Sequence, residues 1–125
     1  MRRTIMLLAT MALTLLVASG VALAVNKIGT NGPDTLRGTK GNDRLEGRGG
    51  DDRLKGRKGD DKIFPGKGDD KVRAGKGDDL IYARDKNGVD FIDCGGGFDK
   101  VETIHRDDET LGNCERALGP RQGDI

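Results

Sequence analysis

At 125 residues the chain has room for one small domain. Glycine contributes 21 residues, aromatics only 3%, tryptophan none, and 22 Lys+Arg nearly cancel 21 Asp+Glu. This excludes a multidomain enzyme and a collagen, and it leaves no strong net field to draw in nucleic acid or an anionic membrane.

Met1-Arg2-Arg3 opens the chain, and an apolar run follows from Ile5 to Ala24, broken only by Thr, Ser and Gly20. It ends in Ala22-Leu23-Ala24, the small-x-small pattern of a signal-peptidase site. We therefore expect a secretory signal peptide over residues 1–24. The competing reading is a retained anchor, since about 20 apolar residues can span a bilayer. Either places the remainder outside the cytoplasm. The leader holds 17 of the 42 hydrophobic residues, so only 25 remain in the next 101 positions. Without Arg2 and Arg3 the balance is 20 basic to 21 acidic residues. So few apolar residues cannot build an ordinary core. Either this segment is unfolded, or something besides apolar burial holds it together.

From Gly29 the chain falls into blocks of nine: GTNGPDTLR, GTKGNDRLE, GRGGDDRLK, GRKGDDKIF, PGKGDDKVR and AGKGDDLIY. Two extra residues near Ala83-Arg84 interrupt the phase, and DKNGVDFID and CGGGFDKVE follow. Three columns do not vary in kind. The fourth is Gly32, Gly41, Gly50, Gly59, Gly68, Gly77, Gly88 and Gly97; the sixth is Asp34, Asp43, Asp52, Asp61, Asp70, Asp79, Asp90 and Asp99. The eighth is aliphatic: Leu36, Leu45, Leu54, Ile63, Val72, Ile81, Ile92 and Val101.

Glycine at this frequency excludes a helix. Three residues centred on the eighth position form a short strand, its aliphatic side chain inward and its neighbours, such as Arg44 and Lys62, outward. The glycine-rich half turns sharply, using positive φ. One strand and one turn bury nothing alone, whereas stacked coils align the aliphatic residues into ladders. Stacking also brings the aspartates of one column within about 4.8 Å, and each such pair repels by about 1 kcal/mol even in a water-like dielectric. Cations between them resolve the conflict. Calcium fits, because it takes six to eight carboxylate and carbonyl oxygens. The repeats contain no imidazole for a transition metal.

The pattern G-G-x-G-x-D-x-U-x resembles the RTX, or hemolysin-type, calcium-binding nonapeptide repeat. The resemblance covers residues 29–102 and implies an all-β fold, a right-handed parallel β-roll of about four two-repeat turns. One sheet would carry Leu36, Leu54, Val72 and Ile92, the other Leu45, Ile63, Ile81 and Val101. It further implies Ca2+ held by sixth-position aspartates and turn carbonyls between repeats two apart. The pairs are Asp34 with Asp52, Asp43 with Asp61, Asp52 with Asp70, Asp61 with Asp79, Asp70 with Asp90, and Asp79 with Asp99, so six ions is a ceiling. Folding coupled to calcium binding follows from the resemblance and, independently, from the low apolar content.

Departures from the family pattern bear on the sites. The second position is Thr30, Thr39, Arg48, Arg57 and Lys86 where the family has glycine. The third position holds Lys40, Lys58, Lys67 and Lys76, which weaken calcium binding unless their stems carry the charge outward. Asp51, Asp60, Asp69 and Asp78 offset them locally. At the start, Val25–Ile28 is expected as an off-register cap strand. Residues 103–125 lose the period and are expected to cap the open end, with Ile104 and Leu111 over the last coil and residues 116–125 as a loose tail. In an exported chain Cys94 and Cys114 are most simply a disulfide, and closing a loop of about 20 residues stabilises by roughly 3 kcal/mol.

His105-Arg106-Asp107 has no other part of a kinase catalytic set, and no zinc helix or nucleophile elbow occurs. The sequence thus predicts a secreted, non-catalytic calcium-ion-binding repeat protein. Alternatives are a metal-independent spacer or disordered charged chain, and a weak polyanion binder using the Gly-Arg and Gly-Lys turns. The partners expected are calcium ions, with no nucleic acid, no stable membrane insertion after cleavage, and any protein or cell-surface partner unspecified.

Overall fold

Each nonapeptide becomes one short strand centred on its eighth residue, followed by one turn. The computed structural model describes residues 23–84, 88–103, 109–111 and 114–118. Most of the expected leader, residues 85–87 of the seventh repeat, Ile104 and His105 lie outside these, as does the side chain of Leu111. The strands are β1 (Asn26–Ile28), β2 (Thr35–Arg37), β3 (Arg44–Glu46), β4 (Arg53–Arg57), β5 (Lys62–Phe64), β6 (Lys71–Gly75), β7 (Leu80–Ala83), β8 (Phe91–Asp93), β9 (Asp99–Thr103), β10 (Glu109–Leu111) and β11 (Cys114–Leu118). Among the described residues they form two parallel sheets, β1-β3-β5-β7-β9-β11 and β10-β8-β6-β4-β2. Odd and even strands alternate between sheets, so two repeats make one turn of a β-solenoid, and the eight repeats make the expected four turns.

The register stacks each column on itself. Leu36 pairs with Leu54, Leu54 with Val72, and Val72 with Ile92. On the other sheet Leu45 pairs with Ile63, Ile63 with Ile81, and Ile81 with Val101. These residues, with Ala74, Ala83 and Cys94, are the core; all are buried except Leu36, which is partly so. The core is one side chain deep per strand, as a quarter-apolar chain requires. Outside, Phe64 and Tyr82 stack with centroids 4.8 Å apart and planes 9° from parallel, and the Arg44 guanidinium lies 4.1 Å from the Phe64 centroid.

The structure extends the coil beyond the eight repeats. β1 is in register rather than off it: Lys27 pairs with Leu45, at the eighth position of a preceding block, and lies exposed. The period also survives past Val101. Thr103 is buried in the first-position column, and β10 pairs with β8 eighteen residues earlier. β11 then pairs with β9, so residues 116–118 belong to a strand rather than to a loose tail. Cys94 and Cys114 form a disulfide, with Cα atoms 5.6 Å apart. It fastens the last strand to the final repeat. The inserted residues fall after Ala83, which is buried and pairs with Thr103. Beyond it, pairing resumes at a spacing of twenty, as in Lys71 with Phe91.

With so thin a core, each ladder residue matters. Ile63→Ala should lower stability by about 3 kcal/mol in chemical denaturation with calcium present, whereas Lys62→Ala should shift it by less than about 0.5 kcal/mol. Equal effects would contradict the stacked-ladder core.

Candidate metal centre

All but the first of the sixth-position aspartates turn inward at the ends of the strands: Asp43, Asp52, Asp61, Asp70, Asp79, Asp90 and Asp99 are at most 3% exposed. Each has one carboxylate oxygen accounted for by the backbone. The Asp34 amide donates to Asp52 Oδ1 at 2.7 Å, Asp43 to Asp61 at 2.7 Å, Asp52 to Asp70 at 2.7 Å and Asp61 to Asp79 at 2.8 Å. Asp70 donates to Asp90 at 3.0 Å and Asp79 to Asp99 at 2.7 Å. The Val25 amide serves Asp43 in the same way, at 2.9 Å. These are the aspartate pairs that the repeat spacing brings together.

The second oxygen divides the array in two. In the first two repeats it is hydrogen-bonded within the turn. The Thr30 amide donates to Asp34 Oδ2 at 2.6 Å and the Thr39 amide to Asp43 Oδ2 at 2.5 Å. The Thr30 hydroxyl lies 3.0 Å from Asp34 Oδ2, and the Thr39 hydroxyl 2.9 Å from Asp43 Oδ1. In the later repeats, Oδ2 of Asp52, Asp61, Asp79 and Asp99 is buried with no hydrogen-bond partner. A buried carboxylate oxygen left this way costs about 1–3 kcal/mol or more.

Turn conformation changes at the same boundary. Arg48, Arg57, Gly66, Gly75 and Gly95, in the second column, have positive φ, as do Gly50, Gly59, Gly68, Gly77, Gly88 and Gly97 in the fourth. Thr30, Thr39, Gly32 and Gly41 do not. Stacking explains why the fourth column stays glycine. At Gly68 (φ 110°) a Cβ would overlap the Gly50 carbonyl one turn earlier. The first column leaves a different space. A Cβ at Gly47 would land 2.5 Å from Asp52 Oδ2 and against the Pro65 carbonyl oxygen; one at Gly56 would meet Asp61 Oδ2 and the Ala74 carbonyl. An orphaned carboxylate oxygen and a main-chain carbonyl from the next turn therefore converge where these glycines carry no side chain.

The donor set is all oxygen. Among the described residues no three His, Cys, Asp or Glu side chains gather at one point. A cation here would take one or two carboxylates plus carbonyls, the chemistry of calcium rather than zinc. Lys40, Lys58, Lys67 and Lys76 are exposed, so the third-position charges point away from the turns.

The fifth column does work that the sequence reading assigned only to charge balance. The Asp69 amide donates to Asp51 Oδ1 at 2.9 Å, Asp78 to Asp60 at 2.8 Å, Val89 to Asp69 at 2.9 Å and Phe98 to Asp78 at 2.9 Å. Asp60 donates to Asn42 Oδ1 at 2.8 Å. Acid or amide at 42, 51, 60, 69 and 78 was the available signal. Pro33, in the same column, stands in the first turn, with no earlier carboxylate for an amide to meet.

Burial pushes the Asp61 carboxyl up to about 6 and Asp79 up to about 7. In each case the amide of the preceding turn pulls down, and neighbouring aspartates push further up. Burial raises Asp52 and Asp99 as well. A carboxyl whose folded pKa lies above the ordinary 3.8 stabilises the fold when protonated, and that contribution fades as pH rises through the folded value. In a chelator, circular dichroism should therefore show more ordered strand at pH 4.5 than at pH 7.5. With saturating calcium the order should reverse, because the metal needs the ionised form. A chelated chain that gains structure towards pH 7.5 would contradict the orphaned-carboxylate picture. Gly68→Ala should cost about 3 kcal/mol with calcium present, read by thermal unfolding.

A family model for the RTX calcium-binding nonapeptide repeat, in four copies, matches residues 28–63, 56–89 and 64–101. A search of curated proteins found no match. A search of solved structures found none either. The matched stretches together cover more than half of the chain and coincide with the stacked turns, and the chain belongs to the RTX calcium-binding nonapeptide repeat family.

Proposed function

We propose that the chain is a secreted, non-catalytic calcium-binding roll that folds as calcium completes its turns. The carrying observation is the row of buried, unpartnered Oδ2 atoms on Asp52, Asp61, Asp79 and Asp99. Such oxygens oppose folding of the metal-free chain, and a cation bridging successive turns removes the opposition. Binding free energy then becomes folding free energy. Three sites carry such an oxygen, between Asp52 and Asp70, Asp61 and Asp79, and Asp79 and Asp99; the Asp70 and Asp90 pair, linked by the same amide bond, makes the fourth, each with turn carbonyls. The glycines at 50, 59, 68, 77, 88 and 97 shape those turns.

Asp34 and Asp43 stand apart in this reading. Thr30 and Thr39 take up their second oxygens, so the first two repeats close by hydrogen bonds, and six sites fall to four. That makes the first coil a ready template on which the calcium-dependent coils stack. Extracellular calcium modules bind at about 10⁻⁴–10⁻³ M, a range in which an exported chain meets enough ion to fold. The apolar stretch before Ala24 and the family's habit of export support secretion.

Calorimetric titration should give four calcium ions per chain. Asp61→Asn should lower the count and the strand content at fixed calcium, while Asp43→Asn should leave the count unchanged. An unchanged count in Asp61→Asn, or an equal fall in Asp43→Asn, would overturn the assignment.

A further inference from the structure

The outer faces of the two sheets differ in charge. Along the six-stranded sheet Arg44, Arg84 and Lys100 lie near glutamates, whereas Lys62 forms no ion pair among the described residues. Arg44 pairs with Glu46 at 3.3 Å, and Glu102 accepts Arg84 at 2.5 Å and lies 4.0 Å from Lys100. On the five-stranded sheet, β2, β4 and β6 present Thr35 and Arg37, Arg53 and Lys55, and Lys71 and Arg73, all exposed. Among the described residues, none of these five cations forms an ion pair. They line one groove of about 580 Å³, floored by the strands at Leu36, Leu54 and Val72 and ended by Phe91, with no carboxylate in its lining.

Register forces the like charges together. Arg37 stands opposite Lys55, Lys55 opposite Arg73, and Arg53 opposite Lys71. Like charges at such cross-strand positions destabilise a sheet. On the six-stranded sheet Arg44 also stands opposite Lys62, but Glu46 lies beside Arg44; on the five-stranded sheet five cations follow one another over three strands before Asp93 stands opposite Arg73. The near-neutral net charge conceals a separation, with sixth-position aspartates inside and cations ranked along one face. A polyanion laid across the strands would relieve the repulsion and release counterions.

We propose that this groove binds a linear acidic polysaccharide, its carboxylates or sulfates running across β2, β4 and β6. The cation ranks repeat at the strand separation, about 4.8 Å, and a glycan with one acid group per sugar presents charge at nearly that interval. Arg37, Arg53 and Arg73 supply the planar donors that grip such groups in pairs. Single-stranded nucleic acid would call for aromatic platforms, and the groove has only Phe91, at its end. A bilayer would call for apolar projections, which this face lacks.

The test uses the full chain at saturating calcium, with circular dichroism on every variant, so that loss of the roll and loss of binding are read separately. The probe is a fluorescein-labelled heparin oligosaccharide, followed by polarisation. Binding is expected, weakening about tenfold or more between 50 and 200 mM salt. The triple variant R53Q/K55Q/R73Q should keep its strand signal and lose about tenfold in affinity. A second triple, R53E/K55E/R73E, should lose more, and K62E/K100E on the opposite face should stay within about twofold of the parent. The proposal fails if the folded glutamine triple binds like the parent, or if K62E/K100E loses as much. It also fails if an oligothymidylate of equal charge binds more tightly than the oligosaccharide.

Discussion

The roll depends on burying a column of carboxylates at the ends of its strands. One oxygen of each accepts the amide of the aspartate one turn earlier, which links residues eighteen apart, or twenty across the insert. That bond ties successive turns together alongside the sheet ladders. It also commits the second oxygen to the interior. The thin aliphatic core has little apolar area to set against this at about 25 cal/mol per Å². The glycine turns are shaped around the remaining oxygen, with positive φ in the second and fourth columns and, at Gly47 and Gly56, no side chain where that oxygen meets a carbonyl of the next turn. Pitch and turn chemistry are thus two results of one burial.

The two aspartate columns fasten the turns in opposite senses. In the sixth column a carboxylate receives the amide of the preceding turn; in the fifth it receives the amide of the following one. Both strings need terminators. Val25, without a carboxylate, still supplies the amide that Asp43 needs. Pro33 lacks an amide where no partner awaits it. Threonine in the second column closes the first two turns internally. At the other end a covalent link between Cys94 and Cys114 secures the last strand.

Much of this was legible because a nonapeptide period repeats its own message. The Leu/Ile/Val column fixed the division into two ladders, and the aspartate column identified the pairs brought together. What escaped notice had lost the marker residues while keeping the geometry. Lys27 stands where an aliphatic should, Arg106 takes the fourth place counted from Thr103, and Thr110 the eighth, yet β1 and β10 are in register. Main-chain pairing with a preformed edge asks little of the side chains. The fifth-column amide bonds escaped because a surface aspartate beside lysines reads equally well as charge balance. Thr30 and Thr39 read as departures from glycine. Only the geometry shows their hydroxyls serving the carboxylates four residues on. The separation of charge between faces could not be read from a balanced composition, since it comes from alternation along each strand and a two-repeat turn together.

Tyr82 is the chain's single tyrosine, and there is no tryptophan. Its ring lies flat on Phe64, eighteen residues away and on the neighbouring strand of the six-stranded sheet. That overlap exists only when successive coils have closed on one another. The near-ultraviolet emission of one phenol therefore serves as a built-in optical gauge of coil assembly, needing no dye and no added chromophore.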